Sequence, residues 1–156
     1  MPANNELYED LIKDHSKSPR NFRILEAPDC QVEGRNPLCG DHFTVYLKIN
    51  GEKIEDISFQ GDGCAISKSS ASIMTQLLKG KTRQEAEALF STFHNLVTSS
   101  PDEEIDEETL GKMAVFAGVR KFPVRVKCAT LAWHSVHNAL EGHSNTVSTE
   151  ESPLGQ

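Results

Sequence analysis

Phe43, Val45, Leu47 and Ile49 alternate with Thr44, Tyr46 and Lys48, a period of two that predicts a strand with one buried face. Asn50-Gly51 supplies the residues of a tight hairpin turn, and Ile54, Ile57 and Phe59 resume the apolar pattern in a second strand. A two-stranded ribbon is marginal alone, so the segment from Cys30 to Gly34 is assigned as a third, weaker strand. Elsewhere the period lengthens. Leu7, Tyr8 and Leu11 fall at helical spacing in a short amphipathic helix that Ser18-Pro19-Arg20-Asn21 should stop. After GDGC, residues 61–64, the positions Ile66, Ile73, Leu77 and Leu78 share one helical face and Gly80 closes the helix, which puts Cys64 at or just before its start. Thr82 with Glu85 predicts a capping box for a further helix carrying Ala86, Leu89, Phe90, Phe93 and Leu96.

Pro101 and the acidic residues after it predict the first turns of another helix, because carboxylates are favoured at its positive end. Pro123 interrupts the pattern within FPVRV and delivers the chain to Cys128. From there Ala129, Leu131, Ala132, Val136 and Leu140 predict a final amphipathic helix. Residues 1–142 therefore form one expected domain, without repeat or linker. The tail 143–156, polar and rich in Ser and Thr, is expected to be disordered.

Composition narrows the functional classes. A chain of 156 residues buries a core without disulfide or metal staples, so a metal found here serves function rather than folding. A formal charge of −7 argues against a nucleic-acid or anionic-membrane footprint. No apolar run reaches the roughly 18 residues of a spanning helix. The N-terminus MPANNELYEDLIKDH also lacks the basic-then-apolar pattern of a signal peptide, so a cytoplasmic location is expected. In such a reducing compartment Cys30, Cys39, Cys64 and Cys128 are expected as free thiols with metal-binding or catalytic roles.

Candidate chemistry gathers around three of them. In NPLCGD, residues 36–41, Cys39 and Asp41 flank Gly40 at the start of the first strand of the hairpin. Cys64 and Cys128 are each placed at a helix N-terminus, where unpaired N–H groups and the helix dipole lower a thiol from its usual pKa of about 8.5. With Asp41 they would give three sulfurs and one oxygen, a set that suits tetrahedral zinc or one edge of an iron–sulfur cluster. Spacing alone does not establish such a site: there is no CxxC pair, buried incidental thiols are the alternative, and Gly-Asp is common turn chemistry.

The motifs NPLCGD, GDGCAISKSSAS at 61–72 and KFPVRVKCATLAW at 121–133 occur in one order along the chain. In them, and over nearly its whole length from Leu7 to about Leu140, the sequence resembles the IscU/SufU superfamily of iron–sulfur cluster assembly proteins. The resemblance implies an α/β (α+β) fold, with a small, mainly antiparallel three-stranded sheet packed against several helices. It also implies a surface metal site built from Cys39, Asp41, Cys64 and Cys128. Lys127 stands where IscU-like scaffolds carry a histidine, FPVRVK replaces their LPPVK motif, and the helical region between Gly80 and Arg120 looks like the SufU insertion; these details favour the SufU branch. By that resemblance the site holds zinc, and the protein is a sulfurtransferase that accepts persulfide sulfur from a SufS-type cysteine desulfurase and serves downstream iron–sulfur assembly proteins. Neither nucleic acid nor membrane is an expected partner. The alternatives are a scaffold on which an iron–sulfur cluster is assembled, and a small zinc-stabilised interaction module.

Within that reading Cys39 is the expected sulfur acceptor, because its Gly40 loop should move more easily than a helix start. Arg125 is the second catalytic candidate, stabilising persulfide or thiolate charge near Cys128, against the ordinary alternative of a surface ion pair. Cys30 matches no ligand position and is expected to be a spare thiol. His134 and His137, three apart, are expected to be ordinary residues of the final helix rather than zinc ligands. Strand alternation should send His42 to the face opposite Asp41. Ser67, Ser69, Ser70 and Ser72 have no evident histidine–acid partners, so serine hydrolysis is not expected.

Overall fold

The computed structural model describes residues 5–37, 40–141 and 147–148. In chain order these form helix α1 (Asn5–Lys17), strands β1 (Cys30–Asn36), β2 (Asp41–Asn50) and β3 (Lys53–Asp62), then helices α2 (Ala65–Leu78), α3 (Arg83–Thr98) and the single turn α4 (Glu107–Leu110). A 3₁₀ segment (Gly111–Lys121), helix α5 (Pro123–Leu140) and a two-residue strand β4 (Val147–Ser148) complete the order. Strands β1, β2 and β3 form an antiparallel sheet, and β4 adds in parallel to the free edge of β1 beside Gly34 and Arg35. The rest of the tail expected to be disordered lies outside the described residues. Among the described residues, no helix is long and apolar enough to cross a membrane.

The hairpin turns at Gly51, whose φ of 65° is a conformation that a side chain would strain. Pairing of Val45 with Phe59 and Leu47 with Ile57 stacks their side chains on one sheet face. The register then slips between Lys48 and Ile49, so that Ile49 pairs with Ile54 and Glu55 is left over as a bulge. That extra residue explains how Ile54 and Ile57, three positions apart, are both fully buried on one face.

Helices α2 and α5 pack together over this sheet. Phe43, Val45, Leu47, Ile57 and Phe59 meet Ile73, Met74, Leu131 and Trp133 in the core, with Phe93 of α3 stacked on Trp133 at 4.5 Å. The serines of α2 allow the close approach. Ser70 donates to the Ala129 carbonyl and receives the Trp133 indole N–H at 3.1 Å, while Ser72 takes the Arg20 N–H and contacts His15 Nδ1 at 2.7 Å. These hydroxyls are docking groups between helices.

The expected capping box at Thr82 and Glu85 is present with both of its hydrogen bonds. The helix expected after Pro101 is not. Residues 101–106 form a loop, Asp106 caps only the four-residue α4, and the chain continues as 3₁₀ helix. Arg120 organises this region by donating to the Ser100 and Glu103 carbonyls, both at 2.9 Å, so loop carbonyls find their donor in a side chain rather than in a regular helix. The final helix also departs from expectation. Pro123 begins α5 instead of interrupting the chain before it, because proline at the first helical position forfeits no hydrogen bond and its φ is already helical.

Candidate metal centre

Three chain segments meet at one end of the sheet. Asn36 ends β1 and pairs with Asp41, which begins β2; His42 in turn pairs with Asp62, the last residue of β3. Two residues beyond Asp62, Cys64 caps α2. Helix α5, packed on both β1 and α2, carries Cys128 into the same corner. One ligand atom from each of Asp41, Cys64 and Cys128 lies within 4.8 Å of the other two. Cys39 lies outside the described residues.

Gly63 makes the approach possible. A Cβ on it would stand 2.7 Å from Asp41 Oδ1 and 2.6 Å from Ser67 Oγ. In the space left free, Asp41 Oδ1 accepts the Cys64 backbone N–H at 2.8 Å, so the carboxylate is tied to the turn that presents the thiol. Asp41 is 2 % exposed, while His42 points outward to Glu33 at 2.8 Å, as alternation requires.

The Cys64 sulfur is the N-cap acceptor of α2 and takes the Ser67 backbone N–H at 3.4 Å. A hydrogen bond with Cys128 is the main cause that lowers this thiol, aided by the Ser67 N–H and hydroxyl. Burial and the Asp41 charge oppose it, and the balance leaves Cys64 at about 6. The lowering favours the thiolate form of this sulfur at neutral pH.

Cys128 corrects the sequence-based placement. It lies in the second turn of α5, not at its start, and is 2 % exposed. Free helix-end N–H groups are out of its reach, so its sulfur takes a side-chain donor, Asn36 Nδ2 at 3.4 Å. Sequence reasoning passed over Asn36, Gly63 and Ser67. The last had a readable signal, since it stands three residues after a cysteine at a helix start, in the position whose N–H a cap accepts.

Arg125 is exposed at the surface, with its guanidinium 4.8 Å from the Phe122 ring centroid. It lines a groove of about 1050 Å³ that runs past Ala65 and Ile66, beside the Cys64 turn. Cys30 is remote: its sulfur contacts the Ala139 carbonyl at 3.9 Å, and it starts β1 six residue steps before Asn36, roughly 20 Å of strand. Another group of possible donors among the described residues is Glu87, His137 and Glu141. There His137 Nδ1 meets Glu87 at 2.7 Å, Nε2 meets Glu141 at 3.5 Å, and the ring stacks on Phe90, an arrangement that hydrogen bonding and stacking account for. His134, largely buried, is pushed down to about 4 by burial and by neighbouring His94 and His137.

Residues 7–142 match the family described as the NifU-like N terminal domain. The chain is 40% identical over 141 residues to the iron–sulfur cluster assembly scaffold protein IscU of Streptococcus pyogenes, covering 90% of this chain and 87% of that one. It is also 40% identical over 135 residues to the zinc-dependent sulfurtransferase SufU of Bacillus subtilis, covering 86% of this chain and 89% of the relative. Among solved structures it is similar to a putative iron–sulfur cluster assembly scaffold protein for the SUF system from Fervidobacterium islandicum. That match has a TM-score of 0.77 at 37% identity, over 84% of this chain and 94% of the other.

Proposed function

The chain belongs to the NifU-like N-terminal domain family, and from that premise we propose that it is a zinc-dependent sulfur acceptor in iron–sulfur cluster assembly, supplied by a SufS-type cysteine desulfurase. The observation that carries this reading is the convergence of Asp41, Cys64 and Cys128 within 4.8 Å. Two sulfurs and a carboxylate, one sulfur with its thiolate form favoured at neutral pH, form a donor set that fits zinc. Cys39 completes it. Zinc so bound would supply the Lewis acidity that keeps the thiols deprotonated at neutral pH.

In the proposed reaction the Cys39 thiolate attacks the terminal sulfur of the desulfurase's cysteine persulfide. The new S–S bond forms as the donor's S–S bond breaks; the donor cysteine leaves as thiolate, and no net oxidation occurs. Cys64, Cys128 and Asp41 hold their places meanwhile, with Asp41 tied to the Cys64 N–H. Arg125, within reach of the groove beside the Cys64 turn, offers a cation to the incoming persulfide.

The equal identity to a relative named as a scaffold supports a second reading, in which iron and sulfide are assembled into a cluster here as cargo. One experiment separates the two. The purified protein is analysed for metal, then assayed for stimulation of desulfurase turnover with single Cys39, Cys64, Cys128 and Cys30 substitutions. Bound zinc, and stimulation lost in the first three but kept in the Cys30 variant, is the result expected. A stable coloured cluster formed with iron and sulfide, and passed to an apo-protein without stimulation of the desulfurase, would establish the scaffold instead.

A further inference from the structure

We propose that Asn36 is a positioning residue for the sulfur of Cys128, its side-chain N–H fixing that sulfur from across the fold as the Ser67 N–H fixes that of Cys64 within its own turn. Asn36 is 0 % exposed, and Nδ2 stands 3.4 Å from Cys128 Sγ. Its backbone carbonyl accepts the Gly40 N–H at 2.9 Å, so the residue that closes the turn leading into Asp41 also reaches across to α5. One residue thereby couples Asp41's strand to the sulfur's helix, through its backbone on one side and its side chain on the other.

The other end of the amide gives the argument its force. Asn36 Oδ1 is buried with no hydrogen-bond partner among the described residues. Leaving such an oxygen unsatisfied costs about 1–3 kcal/mol, and an apolar residue of similar size would avoid that cost. What an apolar residue cannot do is donate to sulfur. An N–H bonded to a thiol gains little, whereas the same N–H bonded to a thiolate forms a charge-assisted bond roughly twice as strong. The amide orientation, donor toward sulfur and oxygen unpaired, therefore suits the sulfur that Cys128 would present to a bound metal.

Two consequences follow for the site. A donated N–H draws electron density from the sulfur, which makes it a poorer nucleophile. It also fixes the sulfur's direction, as outer partners of metal ligands do. Cys128 on this account keeps its position while sulfur chemistry proceeds on another cysteine. The inference rests on the metal-holding reading above.

The test compares the wild type with Asn36→Asp, equal in shape but without the donor, and Asn36→Leu, which removes both polar ends. Cobalt(II) serves as the probe, because its sulfur-to-metal charge-transfer band reports electron density on the ligating sulfurs. Melting of the metal-free proteins reports the fold. Expected are a band shifted to lower energy and cobalt affinity reduced about 10–100-fold in both variants. The shift, unlike a loss of affinity, is not produced by loosened packing alone. Should Asn36→Leu fail to fold, the isosteric Asn36→Asp decides. An unchanged band and unchanged affinity in a folded variant overturns the role of Asn36 while leaving the metal site standing. Absence of any charge-transfer band in the wild type removes the metal-holding reading and this inference with it.

Discussion

Gly63→Ala probes the fit between Asp41 and the Cys64 turn with one methyl group. The new Cβ would stand 2.6 Å from Ser67 Oγ, 2.7 Å from Asp41 Oδ1 and 2.9 Å from Phe43 Cε2, where ordinary contact begins near 3.4 Å. Ser67 can rotate its hydroxyl away. Phe43, 1 % exposed and packed edge-on against Phe59, cannot yield. The carboxylate must therefore withdraw by about 0.7 Å, the shortfall from ordinary contact. That movement stretches the 2.8 Å bond from the Cys64 N–H beyond useful length. Overpacking of this kind costs about 1–3 kcal/mol, and the lost bond to a charged acceptor adds about 1.5–3 kcal/mol where the carboxylate finds no substitute. For a chain of this size the first cost alone lowers the melting temperature by roughly 3–10 °C.

Metal affinity gives the sharper reading. Shifting a ligand off its outer-shell anchor typically weakens binding about 10–100-fold, on the order of 1.4–2.7 kcal/mol. The assay is zinc competition against a chromophoric chelator, run beside melting of the metal-free protein. Gly118→Ala is the control, since a Cβ there meets nothing within 4 Å. If Gly63→Ala held zinc as tightly as wild type and melted at the same temperature, the claim that Asp41 and the Cys64 turn share this space would be wrong.

Three further outcomes are expected. In the metal-free protein, alkylation of Cys64 should rise to half its maximum near pH 6, and Ser67→Ala, which deletes one of the groups that lower the thiol, should move that midpoint upward in a pH–rate profile resolved by peptide mass. His15, 1 % exposed and held neutral at about 4 by burial, should make the metal-free protein acid-sensitive. Its folded value lies below the unfolded 6.5, so stability is intact above pH 6.5 and falls by on the order of 3 kcal/mol as pH drops through 4; His15→Asn should flatten that part of the melting-temperature profile, and an unchanged profile would refute it. Gly34→Ala should cost about 1–3 kcal/mol in denaturant melts, because its Cβ would lie 2.6 Å from Ser135 Oγ; adding Ser135→Ala should recover most of the loss, and strict additivity would count against the close packing of β1 on α5.

The hairpin, the capping box and the start of α2 were legible because each is written in local residues: alternation from Phe43 to Ile49, Thr82 with Glu85, and the GDGC turn running into the helical face of Ile66, Ile73, Leu77 and Leu78. The 3₁₀ segment was not, since Met113, Val115, Phe116 and Val119 have spacings that a regular helix also produces, and the choice between the two is made by tertiary donors such as Arg120. Burial of the α2 serines likewise could not be read from their own segment. Their partners His15, Ala129 and Trp133 stand more than fifty residues away in sequence. Of the candidate site, the residue types were legible and the neighbourhood was not. Pro123 read as a breaker moved Cys128 to a helix end, and with that error went the need to look for another donor to its sulfur.

That donor ties the local chemistry to the fold. The Cys64 thiol is lowered first by its hydrogen bond with Cys128 across the fold and then by its own chain, through the Ser67 N–H three residues on. Cys128 has no such local source in the second turn of a helix, where the backbone N–H groups are already committed. Asn36 supplies its sulfur with a side-chain donor and ties it to the register of β1 against β2 and to the packing of α5 over β1. Loosening α5 from the sheet therefore disturbs both described sulfurs: it removes the Asn36 donor at Cys128 and the Cys128 contact at Cys64, while the local Ser67 N–H stays with Cys64. A partner that pried at the groove beside α5 would act through Cys128 on both sulfurs, so their arrangement needs the β1–α5 contact to be tight. Gly34, whose missing side chain lets Leu131 and Ser135 press against β1, supplies that tightness two residues from Asn36.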